Sequence, residues 1–154
     1  MFRGIHTLNL DSKGRIAIPT CYREKLLEAS NGCVVTTYNN DQRCLLLFPS
    51  TVWDKFEAFL LDLPPFDPEA RKLQRIFIGH AFDGQMDPQG RLLIPPQLRK
   101  KTNLERETVI VGVGRKFEIW EEGAWNAHCN VCIEEGGLKA SNNEVYEKLN
   151  SAPF

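Results

Sequence analysis

Apolar and polar positions along this chain follow one pattern that is written twice. Ile5 to Leu10 alternate moderately, Asp11-Ser12-Lys13-Gly14 interrupt, and Arg15 to Ile18 resume with Ile16 and Ile18 on one face. Such alternation on both sides of a polar, glycine-containing break predicts two strands joined by a tight reversal. Pro19 suits the first turn of a helix, where the missing N–H costs nothing, and a short helix is predicted over 20–28. Strands are predicted near 32–38 and 43–48, with Asn39-Asn40-Asp41 as the turn between them. The same grammar then returns. Ala81 to Met86, Asp87 to Gly90 and Arg91 to Ile94 repeat strand, turn and strand; Pro95 opens a helix over 96–102, and strands follow near 108–113 and 116–120 around Gly112-Val113-Gly114.

Set in register, Leu10-Asp11-Ser12-Lys13-Gly14-Arg15-Ile16-Ala17-Ile18-Pro19 lies above Met86-Asp87-Pro88-Gln89-Gly90-Arg91-Leu92-Leu93-Ile94-Pro95 at an offset of 76. Arg23 falls on Arg99, and Cys33-Val34-Val35 on Val109-Ile110-Val111. Farther on the offset is 72, pairing Leu45-Leu46-Leu47-Phe48 with Phe117-Glu118-Ile119-Trp120 and Trp53 with Trp125, so the first copy carries four extra residues in its hairpin loop. A unit of this size buries too small a share of its surface to stand alone, and the copies are expected to share one core or to oligomerise.

At the end of the first copy, Trp53, Phe56, Phe59, Leu60 and Leu63 recur at helical spacing in a helix over 51–62, for which Ser50 or Thr51 is a candidate cap. Pro64-Pro65 end it, and Pro68 opens another helix over 68–78. A last helix is expected through Trp125 and Cys132, broken by Gly136-Gly137. The organisation predicted is a first repeat over 1–63, a helical connector over 64–79, a second repeat over 80–135 and an acidic tail over 136–154.

Composition changes this picture little. The chain is 42% hydrophobic and 25% charged, as expected of an ordinary globular protein. The amino terminus runs directly into a strand-like pattern, so no signal peptide is expected, and Leu45-Leu46-Leu47-Phe48 is far too short to cross a bilayer. Five scattered cysteines suggest a reducing, cytoplasmic compartment. Cys129 and Cys132 form a Cys-x-x-Cys pair that could hold zinc or cycle as a dithiol; no second pair exists, and no metal or cofactor is predicted. The net charge of -1 hides a division: residues 1–116 carry 17 Lys/Arg against 13 Asp/Glu, and residues 117–154 carry 2 against 7. A basic face on the main body remains open, and charge distribution matters more than the total for phosphate contact.

The candidate chemistry lies in the two Asp-x-x-Gly-Arg turns. Asp11 and Asp87 can accept backbone N–H groups inside the turn, while Gly14 and Gly90 can take a left-handed conformation. Arg15 and Arg91 start the outgoing strands on a stiff support. A guanidinium there suits phosphate or the O6/N7 edge of guanine; equally, each arginine can pair with its aspartate and simply close the turn. Arg3 and Lys13 are expected near the first turn as phosphate contacts. Arg23, Arg99, Lys100 and Lys101 can serve similarly or form a solvated face, and Arg71, Lys72 and Arg75 can also make salt bridges. Phosphate-loop, dinucleotide, nucleophile-elbow and zinc-protease signatures are all missing from the sequence. His6 and His80 read as packing or hydrogen-bonding residues, and no enzyme is predicted.

Phe2-Arg3-Gly4, Leu10 to Arg15, Pro19, Tyr22-Arg23, Gln74-Arg75, Gly79-His80-Ala81, Met86-Asp87, Gly90 to Pro95 and Phe117-Glu118-Ile119-Trp120 closely resemble the bacterial MraZ family. The resemblance extends to about residue 135. It implies a mostly β, α+β fold in which two swapped-hairpin AbrB-like units form one small pseudo-twofold barrel. It further implies a nucleoid-associated transcriptional regulator that binds double-stranded promoter DNA, represses the division and cell-wall gene cluster including its own gene, and assembles into ring-like homo-oligomers. The family's Asp-x-x-x-Arg signature maps onto Asp11 with Arg15 and Asp87 with Arg91, the arginines being implicated in DNA contact. Pro88 and Gln89 depart from Ser12 and Lys13, which makes the second turn stiffer and less basic. The competing reading is a non-enzymatic oligomeric module for protein partners.

Overall fold

A computed structural model describes residues 1–134 together with 151 and 153. Met1–Glu122 forms one compact unit and Gly123–Phe154 another. Within the first, the chain runs through β1 (Phe2–Asn9), β2 (Arg15–Ala17), α1 (Thr20–Ser30), β3 (Cys33–Asn39), β4 (Cys44–Pro49), α2 (Ser50–Leu61) and α3 (Pro68–Phe77). The second copy follows with β5 (Phe82–Gln85), β6 (Arg91–Leu93), α4 (Pro96–Lys101), β7 (Glu107–Gly114) and β8 (Phe117–Glu121). Helix α5 (Glu122–Glu134) continues into the second unit, where Trp125 and His128 stack at 6.4 Å and Cys129 is half-buried. The Cys132 side chain and, apart from Ser151 and Pro153, the predicted tail over 136–154 lie outside the described residues; that stretch holds two lysines and two glutamates, so the acidic excess belongs to the residues before it and not to the tail.

Pairing crosses between the copies. Six antiparallel strands run in the order β1-β7-β8-β4-β3-β5, and β2 pairs with β6 in a separate two-stranded ribbon. Thus β1 of the first copy lies on β7 of the second, and β5 of the second on β3 of the first. In the β4–β8 ladder Leu46 faces Glu118, and in the ribbon Ile16 faces Leu92. Both are pairs of repeat equivalents, as a twofold relation between the copies requires. The expected α+β architecture of two similar units is present, but the expected barrel is not closed. The three-residue strands β2 and β6 pair with each other rather than completing ladders to the edge strands β1 and β5.

This crossing gives both copies one core. Ile16, Ile18, Leu92 and Ile94 belong to the same buried cluster as Leu45, Leu47, Phe117 and Ile119. All six residues of β4 are buried, because its other face is also covered: Phe48 stacks on Phe56 at 5.4 Å, and Phe56 meets Phe77 edge-on at 5.3 Å. Gln74 Nε2 donates to the Leu60 carbonyl at 2.8 Å, tying α3 to α2. Asp67 caps α3 by accepting from the Glu69 and Ala70 N–H groups.

Three local expectations are corrected. Pro19 and Pro95 occupy the residue before their helices, with extended ψ of 137° and 149°, rather than the first turn. Pro49 holds the equivalent place before α2, so neither Ser50 nor Thr51 caps it; the Thr51 hydroxyl donates to the Ala29 carbonyl instead. Strand β1 begins at Phe2, which is buried, whereas Ile5 is 59% exposed. Phe2 is claimed by the core through its 4.2 Å ring contact with Phe117, a partner too distant in sequence for local alternation to announce.

Candidate nucleic-acid interface

Each turn is built around one carboxylate. Asp11 Oδ1 accepts the N–H groups of Lys13 and Arg15, both at 2.9 Å, and Asp11 Oδ2 accepts Arg15 Nε at 2.8 Å. The backbone closes in parallel: Gly14 N–H donates to the Asp11 carbonyl at 3.0 Å and Asp11 N–H to the Arg15 carbonyl at 2.9 Å. Gly14 sits at φ 81°, where a side chain is strained. The second turn repeats this with Asp87 taking Gln89 N–H at 3.0 Å, Arg91 N–H at 2.8 Å and Arg91 Nε at 2.8 Å, and with Gly90 at φ 77°.

The same bonds govern the electrostatics. The Arg15 N–H, helped by its guanidinium and the Lys13 N–H against some desolvation, holds the Asp11 carboxyl at about 2 instead of 3.8. Asp87 is lowered for the same reason, the Arg91 N–H first. Both aspartates are thus charged partners that fix their arginines through Nε. A guanidinium fork has two further nitrogens. Among the described residues neither Nη of Arg15 has a partner, while Arg91 Nη2 donates weakly to Gln89 Oε1 at 3.4 Å. The two readings of the arginines are therefore compatible: Nε closes each turn, which leaves both Nη groups of Arg15 and, beside the weak bond to Gln89, Nη1 of Arg91 for something else.

The ribbon brings the pair together. Arg15 lies opposite Leu93 and Arg91 opposite Ala17; opposite residues of an antiparallel ladder share a face. Ile16 and Leu92 take the buried face, so Arg15, Ala17, Arg91 and Leu93 form the outer one. The arginines are diagonal neighbours on it, about 7–8 Å apart along the backbone and somewhat closer at Cβ. Lys13 is exposed in the adjoining turn. Arg3 is not brought to it: Arg3 stands at the start of β1 and the turn lies beyond its end, roughly 20 Å of extended strand away.

Arg23 and Arg99 have a role that charge alone did not reveal. Arg23 Nε donates to the Ile18 carbonyl at 2.7 Å and Arg99 Nε to the Ile94 carbonyl at 2.9 Å. Each guanidinium then lies against the turn glycine of the other copy, Arg23 on Gly90 and Arg99 on Gly14. Ile18 N–H reaches the Gly90 carbonyl and Ile94 N–H the Gly14 carbonyl, at 2.8 and 2.9 Å. These arginines buttress the turns rather than forming a solvated face. Their equivalence at offset 76 was the only signal of it in the sequence. His6 and His80 pack as expected: His6 lies edge-on to Tyr22 at 5.2 Å, and His80 Nδ1 is 2.7 Å from the Ile76 carbonyl. Among the described residues no cluster of His, Cys, Asp and Glu could hold a metal ion, and no helix is long and apolar enough to cross a membrane.

Comparison with known proteins matches both copies of this sequence. The family model described as "MraZ protein, putative antitoxin-like" matches residues 1–76 and again 77–144. The chain belongs to the MraZ family. A "Transcriptional regulator MraZ" of Hydrogenovibrio crunogenus is 43% identical over 97% of this chain and 96% of its own length. Proteins of the same name from Thioalkalivibrio sulfidiphilus and Haemophilus influenzae are 42% and 48% identical, covering 97% and 88% of this chain and 99% and 90% of their own lengths. These MraZ relatives bear a regulator's name and not an enzyme's, in keeping with a site built from turn carboxylates already bonded to their own arginines.

Proposed function

We propose that this chain is a transcriptional regulator that binds double-stranded promoter DNA sequence-specifically through the outer face of the β2–β6 ribbon. The observation that carries the reading is the placing of Arg15 and Arg91 on one solvent face, each fixed through Nε by its aspartate. A two-stranded ribbon fits the major groove, and a preorganised guanidinium matches guanine O6/N7 or phosphate. Lys13 adds a phosphate contact, and Arg3 contributes only where another part of the duplex or a second protomer meets the far end of β1. Asp11, Gly14, Asp87 and Gly90 form the turns and do not touch DNA.

The family membership supports a repressor of the division and cell-wall cluster that contains its own gene, acting in the cytoplasm on the nucleoid. It also supports the swapped-hairpin AbrB-like description of the paired units and assembly into a ring-like homo-oligomer. Linked copies raise effective concentration, so adjacent promoter repeats are held more tightly than one. No cofactor or small-molecule ligand enters this scheme. Domain limits at 1–63, 64–79, 80–135 and 136–154 remain part of the same proposal.

Phe59, Leu61 and Phe66 are 63%, 64% and 88% exposed on and after α2, which favours a protein contact there in addition. The test is binding of the chain's own upstream DNA against a scrambled duplex, with Arg15→Ala and Arg91→Ala singly and together. Loss of one bidentate base contact lowers affinity by about 1–3 kcal/mol, and the double variant should lose sequence preference while keeping its oligomeric state. Unchanged binding by the double variant would remove the arginines from the interface; no preference by the parent chain would favour the protein-interaction module.

A further inference from the structure

The outer face of the ribbon has two unlike ends. Repeat equivalence matches Arg15 with Arg91 and Ala17 with Leu93, whereas ladder pairing seats Leu93 beside Arg15 and Ala17 beside Arg91. The arginines are thus the same at both ends, and their neighbours differ. Leu93 leaves 40% of its surface to solvent, although Leu92 and Ile94 on either side are buried to 1% and 0%. At this end the turn carries exposed Lys13, and the Arg15 Nη groups have no partner among the described residues. At the other end Gln89 engages Arg91.

A surface made only for phosphate needs donors, and an exposed leucine between two guanidinium groups gives it none. Base edges in the major groove present one apolar group, the C5-methyl of thymine, alongside the acceptors that arginine reads. Leu93 leaves the same ribbon face as Arg15, directly across the ladder from it, so both side chains face the same stretch of groove.

Resting on the DNA-binding reading above, we propose that Leu93 is a specificity-determining residue that packs on the methyl group of a thymine adjacent to the base reached by Arg15. The Arg15 end is then the more discriminating of the two, combining a polar and an apolar contact.

The test begins with selection of duplexes from a random library by the full chain. In the best duplex each thymine is replaced in turn by uracil, which lacks only the methyl group. One position should lose about fourfold in affinity, the worth of one methyl group taken out of water. Leu93→Ala should bind the thymine duplex more weakly by a similar factor and should no longer distinguish thymine from uracil there. Leu93→Met, which keeps an apolar side chain of similar reach, should retain the distinction. The proposal is overturned if every uracil duplex binds like its parent, or if Leu93→Ala keeps the full thymine preference. Either result leaves sequence-selective binding intact. Failure to enrich any sequence would instead overturn the DNA-binding reading and this proposal with it.

Discussion

Gly14→Ala should destabilise the protein through a residue 85 positions away in sequence. The backbone at Gly14 has φ 81°, and placing a side chain in the left-handed region costs about 1–2 kcal/mol. The added methyl would also stand 2.5 Å from Arg99 Cζ and 2.8 Å from its Nε. The guanidinium is the end of a flexible chain and can swing aside, but it then gives up the 2.9 Å bond from Nε to the Ile94 carbonyl. A charged donor's bond contributes about 1.5–3 kcal/mol, and the half-exposed position of Arg99 favours the lower end. The total for Gly14→Ala is about 3 kcal/mol. In an Arg99→Ala background that bond is already gone, so Gly14→Ala should cost only the backbone share, about 1–2 kcal/mol. Urea unfolding of the four proteins at one fixed protein concentration gives the cycle. The expected coupling is about 1.5 kcal/mol, with Gly14→Ala and Arg23→Ala additive within about 0.5 kcal/mol. Additivity of Gly14 with Arg99, or coupling of Gly14 with Arg23 instead, would refute the reciprocal buttressing of the turns.

Two further outcomes follow from the turns. Asp11 is lowered from 3.8 to about 2 in the folded chain, so its contribution to stability is complete above about pH 4 and fades as pH falls through its folded value. Asp11→Asn should remove that part of the acid dependence, seen as a flatter urea midpoint between about pH 4 and 2; an unchanged profile would exclude this carboxylate as the cause. For DNA binding, Lys13→Ala should reduce the slope of log affinity against log salt by about one, and Gln89→Lys should raise it similarly, since each phosphate neutralised releases counterions. Equal slopes in all three proteins would place both turns away from phosphate.

Much of this site could be read from the chain because its parts are local. The aspartate, glycine and arginine of each turn lie within five residues of one another, and a tight reversal constrains them wherever the rest of the chain goes. The helices and most strands were legible for the same reason, since spacing of apolar residues fixes which face is buried within a single element. Alternation names a face and not a partner. The sequence therefore determined the duplication, the turns and the elements. Tertiary structure alone decided that β2 pairs with β6, that Arg23 and Arg99 each support the opposite copy's glycine, that Arg3 stands apart from the turns, and that the sheet remains open. Those outcomes depend on competition among partners some 75 residues apart, settled by which arrangement buries both copies' isoleucines and leucines in a single core.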